Sequence, residues 1–196
     1  MRRRAAVLRL FSCSLLAATC SLLLACRTTD TTRPITALDP NATERSMMRI
    51  RATSGERTQS FRALLHASPS AMLLNAYTPL GTSAFRLYSS GDRVVFLNDL
   101  ENTTWSGTAA EFASSFGFFG DETPVRMAHR ILGRDRSEAR GVTITFDSPA
   151  FPPKHVTIAR GSQRLEIEHL ESLYTDAPVE EPKVPRGYKC CIPPRL

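Results

Sequence analysis

The fold of this 196-residue chain is decided by residues 71–89, AMLLNAYTPLGTSAFRLYS. The first seven are mostly apolar, and in the last seven Phe85 and Leu87 fall on one face of a strand with Arg86 on the other. Between these runs, Thr78-Pro79-Leu80-Gly81 combines a proline, which fixes φ, with a glycine, which tolerates unusual φ values. The stretch therefore predicts two antiparallel strands joined by a tight turn.

Similar short strand patterns flank this hairpin on both sides. Each is bounded by turn-forming residues, and together with the hairpin the earlier ones make six consecutive strands. Such a series predicts an antiparallel meander, closed as a barrel or open as a strongly curved sheet. The flanking patterns before the helical region are Met47–Thr53, Gln59–Ala67, Arg93–Leu97 and Thr103–Trp105, and those after it are Gly141–Phe146, Lys154–Ala159 and Arg164–Leu173.

Two helices are predicted between the two groups of strands. The first begins at Thr108, which has capping-box spacing to Glu111. The second has Thr123 as its N-cap, Pro124 at its first position and Gly133 beyond its end. Apolar residues at helical spacing form one face of each helix: Phe112 and Phe116 in the first, and Val125, Ala128, Ile131 and Leu132 in the second.

The N-terminal 25 residues have the layout of a bacterial export signal. Four arginines precede an apolar run that ends at Ala25, directly before Cys26. Leu23-Leu24-Ala25-Cys26 resembles the lipobox of bacterial lipoproteins, which predicts cleavage after residue 25 and a covalent lipid on Cys26. The alternatives are an ordinary cleaved signal or an uncleaved anchor that contains a cysteine by chance.

The leader also explains the basic charge of the whole chain. The formal net charge is +6, from 25 basic and 19 acidic residues. Four of the arginines and none of the acids lie in residues 1–25, so 21 basic and 19 acidic residues remain after cleavage, or +2. This charge gives no reason to expect a nucleic-acid partner.

Composition further predicts a flexible tether over 26–43, one domain over 44–174 and an extended Pro-rich tail over 175–196 that lies outside the core.

No residue pattern in the chain indicates an enzyme or a metal site. The four histidines His66, His129, His155 and His169 have no metal-ligand spacing, and no nucleophile elbow, P-loop or dinucleotide fingerprint occurs. We therefore expect no catalytic residue, no metal and no cofactor other than the lipid.

The adjacent pair Cys190–Cys191 could oxidise in an exported protein or remain as two thiols. Leu80 is pushed outward by a tight turn, or else it folds back over the sheet edge.

Several stretches, in the same order, resemble the LolB family of outer-membrane lipoprotein receptors. The first is Met72–Tyr88, centred on Asn75-Ala76-Tyr77-Thr78-Pro79-Leu80-Gly81. The others are Thr104–Phe116, Arg130-Ile131-Leu132-Gly133, Pro149–Ile158 and Gln163-Arg164-Leu165-Glu166-Ile167. One difference is that Arg134–Arg140 is a short charged link where the family has a further hairpin's worth of chain.

This resemblance implies an α+β fold: an incomplete, half-open antiparallel β-barrel with a helical lid, as in the LolA/LolB superfamily. Phe112, Phe116, Val125 and Ile131 would line the lid and an apolar cavity, and the loop Pro79, Leu80, Gly81 would insert into the membrane. The implied partners are acyl chains of lipoproteins, a periplasmic LolA-like carrier and membrane lipid, with the protein anchored in the outer membrane and facing the periplasm. The alternative is a non-catalytic lipoprotein that scaffolds an envelope complex, and a weaker third option is an envelope hydrolase.

Overall fold

The computed structural model of this protein describes residues 31–116 and 121–190. The predicted signal peptide, the lipidation site Cys26 and the second residue of the Cys190–Cys191 pair lie outside these ranges. Within the ranges, no helix has the length and apolar character needed to cross a membrane.

One large sheet makes up most of the molecule. Its strands are β1 Thr32–Pro34, β2 Thr43–Ser54, β3 Arg57–Ala67, β4 Ala71–Tyr77, β5 Ser83–Ser90, β6 Arg93–Asn98, β7 Thr103–Thr108, β8 Thr143–Phe146, β9 His155–Arg160, β10 Gln163–Thr175 and β11 Lys189–Cys190. The order is β11-β7-β6-β5-β4-β3-β2-β10-β9-β8, and β1 pairs with β10. All pairs are antiparallel except the short parallel contact of β11 with β7. The six-strand meander is confirmed as β2 to β7, in an open sheet.

Both helices begin where the capping signals place them. Helix α1, Ala109–Phe116, opens on the capping box: Glu111 accepts from the Thr108 N–H at 2.7 Å, and the Glu111 N–H donates to the Thr108 hydroxyl at 3.2 Å. Helix α2, Pro124–Ile131, has Thr123 as its N-cap. After α2, Gly133 adopts φ +77°, and a side chain there would also meet Pro153 at 2.7 Å. Glycine at this position thus allows the chain to leave the helix against the 149–153 segment.

The two faces of the sheet differ in what covers them. The inner face, which we define as the face that contacts the helices, carries alternate residues of each strand, for example Met48, Ala63 and Leu87. These residues and the apolar sides of α1 and α2 form the main hydrophobic core. The opposite, outer face carries a smaller apolar group, the outer cluster, formed by Tyr88, Val95 and Leu97 with the partly buried Leu73, Val179 and Tyr188.

Two segments predicted to lie outside the domain are part of it. In the predicted tether, Thr32–Pro34 pairs with β10, and the Tyr174 hydroxyl donates to the Ala37 carbonyl at 2.8 Å. In the predicted tail, the side chains of Val179 and Tyr188 pack on the outer cluster. The polar composition of the first segment predicted a tether that cannot order itself, and the prolines of the second predicted an extended tail outside the core, but here the sheet supplies contacts to both. The described parts of both segments, from residue 31 and up to residue 190, are therefore attached to the sheet.

Buried polar groups fix α2 and the link after it to the sheet. His169 on β10 contacts the Ile131 carbonyl at 3.1 Å and the Ser46 hydroxyl at 2.8 Å. Burial lowers the pKa of His169 below its usual value, so this imidazole stays neutral, donating from Nε2 to the Ile131 carbonyl and accepting the Ser46 hydroxyl proton at Nδ1. Arg130, buried in α2, donates to Glu122 at 3.0 Å and to the Glu138 carbonyl at 3.2 Å. The short charged link is therefore tied to the helix by its backbone.

Candidate functional site

The inner face carries a run of aromatic side chains that extends from the helices toward one end of the sheet. Ring centroids are 4.7 Å apart for Phe112 and Phe116, 6.4 Å for Phe116 and Phe96, 5.8 Å for Phe96 and Phe85, and 6.0 Å for Phe85 and Phe61. The cross-strand register explains this alignment. Phe85 on β5 pairs with Ala76 on β4, and Ala76 pairs with Ala63 on β3. Ala63 and Phe61 are two residues apart on the same strand and therefore share the inner face.

The two ends of this aromatic run differ in burial. Phe112 is fully buried at the α1 end, whereas Phe61 and Phe85 on the strands are only partly buried. Leu74, which pairs with Leu65 and Leu87 on the same face, is also partly buried. Apolar side chains that remain partly open to solvent on an otherwise covered face form a candidate surface for an apolar ligand.

The four residues predicted to line the lid and cavity all lie in or against the main core. Phe112 and Ile131 are buried, and Phe116 and Val125 are partly buried. They place α1 and α2 on the inner face of the sheet. Met127 on α2 is more deeply buried than Val125, and Phe61 and Phe85 belong to the same surface, although none of the three was predicted as a site residue. The even spacing of Phe61 with Ala63 and Leu65 was the available signal.

The predicted loop is a tight turn with its leucine outside. The Gly81 N–H donates to the Thr78 carbonyl at 2.9 Å, and the Thr78 N–H donates to the Thr82 carbonyl at 2.8 Å. Gly81 has φ +82°, a backbone conformation that residues with a side chain rarely adopt. Leu80 is 92% exposed, which excludes the alternative in which it folds back over the sheet edge. Because Leu80 buries almost no apolar area at this position, it adds no packing energy to the fold.

A network of polar groups connects the base of this turn to the next turn of the sheet. The carboxylate of Asp99, just after β6, accepts a hydrogen bond from the Ser83 hydroxyl. It also accepts two hydrogen bonds from the Arg86 guanidinium, at 3.0 and 2.6 Å. Tyr188 from the C-terminal segment donates to the same carboxylate at 2.6 Å. Burial acts to raise the pKa of Asp99, but these hydrogen bonds outweigh it and lower the pKa. The carboxylate therefore stays charged and holds the two turns in a fixed relation.

A buried ion pair closes the other end of the inner face. Glu44 on β2 accepts from Arg134 at 3.0 Å, and Arg134 also donates to the Ala42 carbonyl at 2.9 Å. Both side chains are almost fully buried. Burial raises the pKa of Glu44 to about 7, although the charge of Arg134 acts in the opposite direction. This contact holds the chain that follows α2 against β2.

The described residues hold no group of three His, Cys, Asp or Glu side chains placed to bind a metal ion. The four histidines are spread over the sheet and helices: His129 contacts the Ser68 carbonyl at 2.9 Å, and His155 contacts Asp147 at 3.2 Å. Each of these two contacts fixes a local element, as His169 does for α2. The distinctive features of the site are therefore the partly exposed apolar surface on the inner face and the exposed Leu80.

Comparison with known proteins gives a structural likeness only. No protein-family model matches the chain, and no curated protein sequence does. Among solved structures, the chain is similar to the crystal structure of LolA superfamily protein NE2245 from Nitrosomonas europaea, with 8% sequence identity and a TM-score of 0.44. The match covers 72% of this chain and 89% of that chain. The functional proposal for this chain therefore rests on its own geometry.

Proposed function

We propose that this protein binds lipid acyl chains on the inner face of its sheet and helps to seat lipoproteins in the outer membrane. The observation that carries the proposal is the partly exposed apolar surface formed by Phe61, Leu74 and Phe85. Burial of each acyl-chain methylene away from water is favourable by about 0.8 kcal/mol, so binding of a chain of ten or more methylenes to such a surface is strongly favourable.

The exposed leucine supports the membrane part of the proposal. Leu80 lies on a rigid turn at one end of the sheet and makes no contribution to the core. An apolar side chain held out in this way can enter the interface of a bilayer, where its burial is favourable. In this proposal a lipoprotein arrives on a periplasmic LolA-like carrier, its acyl chains move to the inner face, and the Leu80 turn contacts the membrane that receives them.

A second candidate is a non-catalytic lipoprotein that scaffolds an envelope complex. The observation that favours it is the complete burial of Phe112, Leu132 and Met127, which shows that the helices already fill part of the inner face. A scaffold would have no need for an open apolar surface and would take up no lipid. The two candidates therefore differ in a single measurable property, the binding of an acyl chain.

Two neighbouring leucines on β4 provide a matched test of acyl-chain binding. Leu74 points to the inner face and Leu73 to the outer cluster, and both are partly buried. We expect Leu74→Gln to weaken binding of a fluorescent fatty acid about tenfold, since roughly 1.5 kcal/mol of apolar contact is lost, and Leu73→Gln to leave it unchanged. Both variants must keep the circular dichroism spectrum of the wild type. Absence of uptake by the wild-type protein would favour the scaffold.

A further inference from the structure

The order of strands places four hairpin turns side by side at one end of the sheet. Strands β9, β10 and β2 to β7 are consecutive neighbours, and their directions alternate. The connections 161–162, 55–56, 78–82 and 99–102 therefore share one end, in that spatial order. Gln163 at the start of β10 pairs with Ser54 at the end of β2, which places the first two turns next to each other. We call these four turns the rim.

In one half of the rim, each turn carries an exposed leucine. Leu80 in the third turn is 92% exposed, and Leu100 in the fourth turn is 65% exposed. Adjacent hairpins are two strands apart, so about 10 Å separates the two turns. The fourth turn is rigid, because the Asn98 side chain accepts from the backbone N–H groups of Leu100 and Glu101, both at 3.2 Å. Two exposed leucines at this spacing cost solubility and bring no packing.

The other half of the rim is rich in arginine. Arg57 begins β3 beside the second turn, and Arg160 ends β9 beside the first, both exposed. Arg164 and Arg51 lie just behind these turns and share one carboxylate, Glu166, at 3.0 and 3.9 Å. The acidic Glu56 in the second turn offsets only part of this charge. This half therefore has an excess of positive charge that faces the same direction as the two leucines.

We propose that the rim is a two-point membrane contact, in which Leu80 and Leu100 enter an anionic bilayer together while the arginine half lies on its phosphate groups. The two leucines supply the insertion and the arginines attract negatively charged headgroups within a Debye length of the surface. Asp99 fixes the distance between the two apolar turns, because it hydrogen-bonds Ser83 beside one turn and lies itself at the start of the other. The inference rests on the proposed function in that it defines the membrane surface from which acyl chains would be released.

Tryptophan scanning tests the contact on the full chain. Leu80→Trp, Leu100→Trp and the control Leu170→Trp would each be bound to vesicles of phosphatidylglycerol with brominated acyl chains, which quench tryptophan at bilayer depth. The control position is 41% exposed and lies on β10 near its bulge, away from the rim. The native Trp105 is buried and common to all three proteins. We expect a blue shift and loss of most of the added fluorescence at positions 80 and 100, with neither at position 170.

The arginine half has its own test. Changing Arg57 and Arg160 together to Gln should reduce quenching at position 100 in phosphatidylglycerol vesicles to the level seen in phosphatidylcholine vesicles. Quenching at position 80 without position 100 would overturn the two-point contact, and equal quenching at position 170 would overturn the rim as the contact. Unchanged quenching in the arginine variant would remove the charge component. Failure of fatty-acid uptake with intact quenching at both turns would contradict the proposed function and leave the rim standing.

Discussion

The two faces of the sheet are covered in different ways. The inner face is covered by two capped helices whose apolar sides merge with the sheet into one core, and they leave part of that face open. The outer cluster is covered by an extended segment that contributes two side chains, Val179 and Tyr188. Polar contacts hold that segment: Arg93 donates to Glu181 at 3.1 and 2.8 Å. Because the inner cover is part of the larger core, we expect it to contribute more to stability than the outer cover, which packs on a smaller apolar group.

The largest effect is expected from a change in the inner cover. Phe112→Ala should lower the free energy of unfolding by about 3–5 kcal/mol, because it leaves a cavity among fully buried groups. Phe112 stacks on Phe116 at 4.7 Å and lies 6.0 Å from Trp105. Urea unfolding measures the change, with the exposed Ser114→Ala on the same helix as the control, expected within about 0.5 kcal/mol of wild type. A loss below about 1 kcal/mol for Phe112→Ala would show that α1 is not part of the core.

A pH-dependent effect is expected where the inner cover is held by the buried ion pair. Burial raises the pKa of Glu44 to about 7 from an ordinary value of 4.5, so the folded protein holds this proton more tightly than the unfolded chain. The stability that Glu44 contributes is therefore greatest below pH 4.5 and decreases as the pH rises to about 7. We expect the destabilisation caused by Glu44→Gln to be about 1–3 kcal/mol larger at pH 5 than at pH 8.

The control for this prediction is Glu111→Gln in the capping box. Hydrogen bonds from the Thr108 backbone and hydroxyl lower the pKa of Glu111, so its contribution is lost only as the pH falls below its ordinary value of 4.5. Its effect should then be constant between pH 5 and pH 8. A Glu44→Gln difference that is also constant, or that increases with pH, would mean that the carboxylate is fully ionised in the folded protein at pH 5.

The smallest effect is expected in the outer cover. Tyr188→Phe removes the hydroxyl that donates to Asp99 at 2.6 Å and keeps the ring on the outer cluster. Because Asp99 retains Arg86 and Ser83, the loss should be about 0.5–1.5 kcal/mol. Thermal unfolding measures it, with the exposed Val184→Ala as the control. A loss as large as that of Phe112→Ala would mean that both covers contribute equally to stability.

Most of the fold follows from local signals in the sequence. The strand β4 was predicted with its observed bounds, and the other strands of the meander were predicted within a few residues, because turn residues separate every pair. The start of α1 was predicted from Thr108 and Glu111, and that of α2 from Thr123 and Pro124. These signals are local, since each depends on residues only a few positions apart.

Contacts between distant segments could not be predicted in the same way. Nothing in the residues around Thr32 shows that they pair with Thr175, and nothing around Tyr188 shows that its hydroxyl meets Asp99. The same holds for Leu100, which becomes a neighbour of the Leu80 turn only through the order of the strands. The apolar faces of α1 and α2 were predictable because a helix repeats its apolar side at a fixed spacing.

Photo-crosslinking with a fatty acid that carries a diazirine near its methyl end reports directly which face of the sheet holds the acyl chain. After irradiation and proteolysis, mass spectrometry identifies the labelled peptides. We predict labels on inner-face residues such as Phe61, Leu74 and Phe85, reduced by an excess of unlabelled palmitate. Labels confined to the outer cluster around Leu73 and Val95, or no label that palmitate displaces, would contradict binding on the inner face.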